Sequence, residues 1–178
     1  MSGHNRWTQI KRQKGVTDAK KSKLFSKLVR YISVEAKLSG GKDSPGLKAA
    51  IEKAKKVNMP SDVIERAIKK ATEPGAHMDN IMYEAYGPGG VGIIIETLTD
   101  SKNRTVQDIK HILVKNGFEL ASIGSVVWSF NKEKTPEGII WKPNVFIPVS
   151  DQDLELLDTL VDELEELDDV QDIFTNAE

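Results

Sequence analysis

Residues 81–98 read IMYEAYGPGGVGIIIETL. Two stretches with strand composition, Ile81–Tyr86 and Val91–Leu98, flank the segment Gly87-Pro88-Gly89-Gly90, and Pro-Gly pairs are typical of tight turns. The pattern therefore predicts a β-hairpin. A glycine-rich phosphate-binding loop is the alternative, but the Lys and the Ser or Thr of such a loop are missing. A strand also follows where that loop would open a helix, which favours the hairpin.

The residues after the hairpin mix helical and strand patterns. A helix is predicted from about Arg104 to Asn116, where Gly117 ends it, and an amphipathic helix from Asp151 to Leu167. The other predicted strands are Ser125–Phe130, Ile139–Trp141, Val145–Val149 and Val170–Phe174. This order predicts an α+β class, with helices packed on one face of a mostly antiparallel sheet.

The residues before the hairpin have helical periodicity. Apolar residues recur at every fourth position of the first predicted helix, at Leu24, Leu28 and Ile32. The predicted boundaries are Thr17 as the first N-cap, Gly40-Gly41 as the first stop, Ser44-Pro45 as the second start and Asn58-Met59-Pro60 as the break before a third helix. This part is therefore predicted to contain three helices.

Charge divides the chain into two parts. Residues 1–75 contain 18 Lys and Arg against 7 Asp and Glu, a net charge of +11, whereas residues 76–178 contain 7 against 20, a net charge of −13. Pro74 and Gly75 lie where the sign changes and predict a linker at about 72–79. We expect a basic helical domain at 1–75 and an acidic α+β domain at 80–178. Such asymmetry indicates binding of nucleic acid or another anionic surface by the first domain.

Basic residues surround a single aromatic residue, Trp7, near the start of the chain and continue along one side of the first helix. Lys and Arg neutralise phosphates, and Trp stacks on unpaired bases. The predicted nucleic-acid-binding residues are His4, Arg6, Trp7, Lys11, Arg12, Lys14, Lys20, Lys21, Lys23, Lys27 and Arg30. The alternative is a solvated tail with Trp7 and Ile10 packed loosely on the helices. Because the third helix has few residues that recognise base edges, contacts with the phosphate backbone are favoured over base recognition.

The sequence offers no pattern for a catalytic or metal site. There is no Cys, the three His residues lack the spacing of metal ligands, and no catalytic triad or paired-carboxylate motif is recognisable. We therefore expect a protein that is not an enzyme and that needs no cofactor or metal. Apolar runs are as short as Ile93–Ile95, and basic residues interrupt the start of the chain, so neither a membrane span nor a signal peptide is expected. We expect a cytoplasmic location.

Separated motifs in a fixed order give the sequence a resemblance to a known family. The motifs are Gly3-His4-Asn5-Arg6-Trp7, Ile10-Lys11, Lys14, Asp18-Ala19-Lys20, Lys23, Phe25, Lys27, Tyr83 to Gly90, Asn103-Arg104-Thr105-Val106, Gly124-Ser125-Val126, Ile147-Pro148 and Asp168-Asp169-Val170-Gln171. They cover most of the chain, and the sequence resembles the YebC/PmpR family, which includes a mitochondrial translational activator. The resemblance implies a helical N-terminal domain followed by ferredoxin-like α+β parts. It also makes Asn103 and Arg104 a secondary set of binding candidates.

The resemblance also implies a function and one departure from the usual pattern. Family members are described as DNA-binding transcriptional regulators or as translation factors acting on ribosomes. We expect a nucleic-acid-binding regulator of gene expression whose partner is ribosomal RNA or promoter DNA. The alternatives are a protein adaptor that docks through the acidic helix 151–167 and a ligand-binding module. A small α/β module that members usually carry after about residue 131 is missing here, since 131–144 passes almost directly to the C-terminal segment.

Overall fold

The computed structural model describes residues 18–75, 77–135 and 138–178, with the side chains of 18–23, 135 and 138 left out of the description. These residues form two compact units. Of the described residues, 18–75, 77–79 and Leu98–Ser101 form the helical unit. The mixed unit contains Asn80–Thr97 and Lys102–Glu178.

The described residues of the helical unit form three helices, α1 (Asp18–Ser39), α2 (Pro45–Lys56) and α3 (Ser61–Thr72). Gly40 follows α1 with a φ of 61°, a left-handed conformation that glycine adopts without strain, so the predicted stop is confirmed. The Ser44 hydroxyl accepts a hydrogen bond from the amide of Leu47 at 3.1 Å, which confirms the predicted start of α2.

The apolar stripes of the three helices meet in one core. Its fully or almost fully buried members are Leu28, Ile32, Ala36, Leu47, Ala50, Ala54, Met59, Ile64, Ala67 and Ala71. Leu24, which was predicted to share the stripe of α1, lies at its edge and is more than one-third exposed. Small alanines on all three helices allow close helix packing in this core.

In the part of the mixed unit that the structure describes there are five strands and two α-helices. In chain order they are β1 (Asp79–Tyr86), β2 (Gly92–Thr99), α4 (Lys102–Lys115), β3 (Phe130–Thr135), β4 (Gly138–Pro143), α5 (Asp151–Glu165) and β5 (Val170–Thr175). One sheet has the order β1-β2-β5, and β3 and β4 form a separate antiparallel hairpin. Strand β2 pairs antiparallel with β5, with Ile94 opposite Phe174. The predicted α+β class and its antiparallel sheet are confirmed.

Both faces of the three-stranded sheet are covered. One face packs on α4 and α5 around Ile95, Ile109 and Leu157, which are all fully buried. The other face packs Ile94 against Val126 and Phe130, which come from the segment before β3 and from β3 itself. Because β2 is covered on both sides, its burial is nearly continuous, in agreement with its run of three isoleucines.

Two predicted strands are wrong. Ser125–Phe130 contains a turn of 3-10 helix at Val127–Ser129, and only Phe130 belongs to a strand. Its alternating pattern arises because Val126 and Phe130 cover the sheet while the backbone between them turns. Val145–Val149 makes a single bridge, between Ile147 and Ala177. Pro148 has no amide hydrogen to continue such pairing, which gives a physical reason for the missing strand.

Candidate nucleic-acid interface and motif residues

Most of the predicted binding residues near the start of the chain lie outside the described residues. They are His4, Arg6, Trp7, Lys11, Arg12 and Lys14, together with the predicted cap Thr17. The backbone of Lys20, Lys21 and Lys23 lies in α1, but their side chains are outside the description. Lys27 and Arg30 are the α1 candidates whose side chains the structure describes.

Lys27 and Arg30 are half-buried rather than fully solvated. The Arg30 Nη1 donates a hydrogen bond to the carbonyl oxygen of Leu98 at 3.0 Å, within the helical unit. One nitrogen of this guanidinium therefore stabilises the fold.

Five other lysines of the helical unit are exposed and have no partner among the described residues. The side chains of Lys42, Lys55, Lys56, Lys69 and Lys70 make no hydrogen bond, ion pair or ring contact with any residue that the structure describes. Four of them lie in the last turns of α2 and α3, where a positive charge also compensates the helix dipole. That compensation leaves their ammonium groups in water and open to an anionic partner.

Other charges of the same unit are neutralised internally. Lys48 forms an ion pair with Asp43 at 3.3 Å, and Arg66 forms one with Asp62 at 2.7 Å. All four side chains are largely exposed, so these pairs contribute little to stability. They do reduce the number of acids that would repel a phosphate from the helical unit.

The secondary candidate Arg104 is exposed and binds the buried carboxylate of Asp169. Its Nη2 donates to both carboxylate oxygens of Asp169, at 2.9 and 3.2 Å, and the Thr105 hydroxyl donates to the same carboxylate at 2.6 Å. Asp169 is only 5% exposed, so it needs these donors. Burial, with a smaller effect of the Asp169 charge, raises the pKa of Tyr83. Asn103, the other secondary candidate, is exposed.

A second buried carboxylate, Glu84 of β1, fixes the segment before β3. It is 3% exposed and accepts hydrogen bonds from three backbone amides: Gly124 at 2.6 Å, Val126 at 2.6 Å and Val127 at 2.8 Å. The carbonyl oxygen of Glu84 also accepts from the amide of Ala121 at 2.8 Å. We call residues 121–129 the anchored loop, because this one residue of β1 satisfies four of its amides.

Two aromatic side chains are fixed to the same loop. The Tyr86 hydroxyl and the Trp128 Nε1 both donate to the carbonyl oxygen of Ser125 at 2.7 Å. Farther along the sheet, the amide of Gly92 donates to Asn176 Oδ1 at 2.7 Å. A Cβ on Gly92 would lie 2.8 Å from a methyl carbon of Val126, so the backbone of β2 approaches the loop too closely for a side chain.

The β3–β4 hairpin is tied to the sheet through Glu96. The Trp141 Nε1 donates to the Glu96 carboxylate at 2.8 Å, and the Lys132 ammonium lies 5.2 Å from the centre of the Trp141 ring. Asp172 lies directly opposite Glu96 on β5. Burial, followed by the Asp172 charge, raises the pKa of Glu96, although the hydrogen bond from Trp141 and the Lys132 charge oppose the shift.

Sequence reasoning did not single out Glu84, Asp169 or Asn176 as structural centres. Two of them, Glu84 and Asp169, lie in motifs that carry the family resemblance, and that position was a signal in the sequence. Glu84 lies in the Tyr83 to Gly90 motif and binds the Gly124-Ser125-Val126 motif. Arg104 and Asp169 likewise lie in two separate motifs that contact each other. Motifs that are distant in sequence are therefore paired in the fold.

The described residues contain neither a cluster of metal ligands nor a membrane-spanning helix. Among residues 18–75, 77–135 and 138–178, no group of three or more His, Asp or Glu side chains could hold a metal ion. No helix in that part of the chain is long and apolar enough to cross a membrane.

Comparison with known families gives matches over nearly the whole chain. Residues 5–74 match the model of the TACO1/YebC protein N-terminal domain. Residues 78–137 and 131–177 match the model of the TACO1/YebC second and third domain. The two segments of the second match overlap on β3 and the turn that follows it.

Individual relatives match the chain over almost its whole length. A "probable transcriptional regulatory protein" of Fervidobacterium nodosum is 38% identical over 235 positions, covering 99% of this chain and 93% of the relative. One of the same description from Petrotoga mobilis is 44% identical and covers 100% of this chain and 71% of its own length. The first alignment spans 235 positions and this chain has 178 residues, so at least 57 positions are occupied only in the relative. The expected absence of a module after about residue 131 stays a prediction.

A solved structure has the same fold. The crystal structure of a conserved hypothetical protein from Aquifex aeolicus superposes with a TM-score of 0.84 and 31% sequence identity, over 97% of this chain and 96% of the other. The family models, the curated relatives and this structure agree with the motifs found in the sequence. The chain therefore belongs to the TACO1/YebC family.

Proposed function

We propose that this protein regulates gene expression by binding the phosphate backbone of a nucleic acid, without catalysing a reaction. The observation that carries the proposal is the charge distribution. Residues 1–75 have a net charge of +11, and five exposed lysines of the helical unit have no partner among the described residues. The names of the curated relatives support a role in transcriptional regulation.

The proposed phosphate-binding residues are the basic N-terminal residues, the candidates on α1 and the exposed lysines of α2 and α3. Lysines on mobile four-carbon stems contact phosphates as point charges and do not select a base. Trp7 would stack on an unpaired base where the nucleic acid provides one. Asn103 and Arg104 remain secondary candidates, with Arg104 held by Asp169. We also propose that the two domains are 1–75 and 80–178.

The proposed target is either structured RNA of the ribosome or duplex DNA, and we favour the ribosome-linked role. Cosedimentation distinguishes the two. A translation factor should sediment with ribosomes and be released by ribonuclease or by high salt, because the contacts are electrostatic. A transcriptional regulator should stay in the supernatant and bind a promoter duplex instead.

The experiment that tests the proposal compares two charge reversals of equal size. Lys69→Glu with Lys70→Glu changes the helical unit, and Lys110→Glu with Lys134→Glu makes the same change in the mixed unit. All four side chains are exposed and without a partner in the described part of the chain, so both variants should fold. Each variant is titrated with a labelled RNA hairpin and a duplex DNA at one fixed salt concentration, with a thermal melt as the folding control.

We expect the first variant to bind at least tenfold more weakly and the second to bind within about threefold of the wild type. A tenfold loss corresponds to about 1.4 kcal/mol, a reasonable sum for two lost phosphate contacts. Equal losses in both variants would show that only total charge matters. Wild-type binding by the first variant would remove α3 from the interface.

A further inference from the structure

The mixed unit has a small depression on its surface with aromatic walls. Its lining includes Tyr86, Trp128, Val145 and Ile147, with Gly90 and Gly92 contributing backbone. It encloses about 50 Å³, which is room for a water-sized group and far below the size of a cofactor or drug site, so a larger group can only lie across its aromatic rim. Trp128 is 63% exposed and Tyr86 is 45% exposed, so two aromatic rings face solvent beside each other.

The walls are held rigidly. The polar atoms of Tyr86 and Trp128 both bind the Ser125 carbonyl, and the loop that carries Ser125 is held by the buried Glu84 carboxylate. An exposed indole whose N–H is already bonded offers its ring, and not its donor, to a partner. Rigid aromatic side chains lose little conformational entropy on binding, and for this reason Tyr and Trp are frequent at binding hot spots.

Two buried polar side chains, Asn176 and Ser129, line the depression. Asn176 is 3% exposed, and its Oδ1 accepts the bond from the Gly92 amide. Its Nδ2 has two hydrogens but makes one hydrogen bond among the described residues, a long one of 3.4 Å to the Ser129 hydroxyl. A second N–H is therefore available for a carbonyl oxygen that enters the depression.

The charges around the depression favour a basic partner. None of its lining residues is charged. A Cβ on Gly89, at the edge, would lie 3.4 Å from the Asp153 carboxylate, and Glu178 bonds the Ile147 carbonyl through its amide. Residues 76–178 carry a net charge of −13. A nucleic acid would be repelled, whereas a polypeptide with Lys or Arg beside an apolar residue would be attracted.

We propose that the aromatic rim of this depression binds one apolar side chain of a basic protein segment, and that Asn176 Nδ2 donates to a backbone carbonyl of that segment whose oxygen enters the depression. The ring faces of Tyr86 and Trp128 bury the side chain. The acidic surroundings pair with its flanking basic residues. The proposal does not depend on the proposed nucleic-acid interface.

The test uses the full-length protein labelled with nitrogen-15 and four probes. Three are blocked pentapeptides, Lys-Lys-Leu-Lys-Lys, the same peptide with Ser in place of Leu, and Glu-Glu-Leu-Glu-Glu. The fourth is a ten-nucleotide single-stranded thymidine oligonucleotide. The readouts are the indole N–H of Trp128 and the amides of Gly90 and Gly92. We expect saturable shifts with the Leu peptide and at least tenfold weaker binding of the Ser and Glu peptides.

Two variants complete the test. Trp128→Ala removes one wall and should weaken binding of the Leu peptide at least tenfold. Leu156→Ala removes a side chain of similar exposure on α5 that does not line the depression, and should leave binding unchanged. Equal shifts with the Leu and Ser peptides, no shift at millimolar peptide, or stronger shifts with the oligonucleotide would each overturn the proposal.

Discussion

Replacing Glu84 by Gln tests whether the anchored loop depends on one buried carboxylate. The three amides that bind it, from Gly124, Val126 and Val127, have donor–acceptor distances of 2.6 to 2.8 Å. Such short distances are typical of charge-assisted hydrogen bonds. Gln has one carbonyl oxygen, so in its better orientation it keeps the bonds to Val126 and Val127. Its NH₂ group then faces the Gly124 amide, and two donors meet.

The expected cost follows from these contacts. One buried donor left without an acceptor costs about 1–3 kcal/mol, and the two remaining bonds lose the strengthening by charge. Removing the buried negative charge offsets part of this cost. We expect Glu84→Gln to lower the free energy of unfolding by about 2–4 kcal/mol, a large fraction of the stability of an ordinary domain. We expect the loss of stability to be local to the anchored loop, because no apolar contact is removed.

Two measurements check this prediction. Urea unfolding gives the change in stability, with Glu119→Gln as the control, since Glu119 is exposed. Amide hydrogen exchange gives the location, because the amides of Val126 and Val127 should exchange faster while those of α1 do not change. A loss below about 0.5 kcal/mol, or unchanged exchange in the loop, would refute the assignment of Glu84 as the anchor.

Three further predictions test electrostatics and packing. If about five phosphates of duplex DNA are neutralised, log K should fall against log salt with a slope of roughly −4 to −5, and a titration series that shows almost no salt dependence would contradict the proposed interface. Gly92→Ala places a Cβ 2.8 Å from the Val126 side chain and should cost about 1–3 kcal/mol in urea unfolding. Burial and Asp172 raise the pKa of Glu96, so the folded state takes up its proton at a higher pH than the unfolded chain. Stability from this group is present at acid pH and is lost as the pH rises through the raised pKa. Glu96→Gln should flatten the unfolding free energy measured between pH 4 and 7, and an unchanged slope would assign the pH dependence to other groups.

The helical unit could be predicted from sequence because local signals decide it. Gly40-Gly41 and Ser44-Pro45 act on their own neighbours, and the fourfold spacing of apolar residues places each helix face in the core. The hairpin of β1 and β2 could also be predicted, because its turn residues lie directly between its two strands. The anchored loop was not, because its conformation depends on Glu84, which lies about forty residues earlier in the chain. A pattern search over Ser125–Phe130 detects the alternating burial and has no information about that carboxylate.

For the candidate interface, the sequence predicts the total charge but not the contact that each charged residue makes. Net charge is a sum over residues, so the basic character of residues 1–75 could be obtained from sequence, but the use of each charge could not. Arg30 and Arg104 were both assigned to a nucleic acid, and the structure gives each of them a partner within its own unit. Lys69 and Lys70 were not singled out, although their side chains form no hydrogen bond or ion pair with any described residue.

Internal hydrogen bonding separates the motif residues that build the fold from those that remain free for a partner. A buried carboxylate such as Glu84 or Asp169 must be satisfied inside the protein, so its presence in a family motif is explained without a ligand. Exposed lysines and the rings of Tyr86 and Trp128 have no such explanation, because their charges or faces are directed to solvent. If this distinction holds, substitutions at the buried carboxylates should reduce stability and binding together. Substitutions at the exposed groups should reduce binding alone, and that contrast is the property by which a functional surface is recognised.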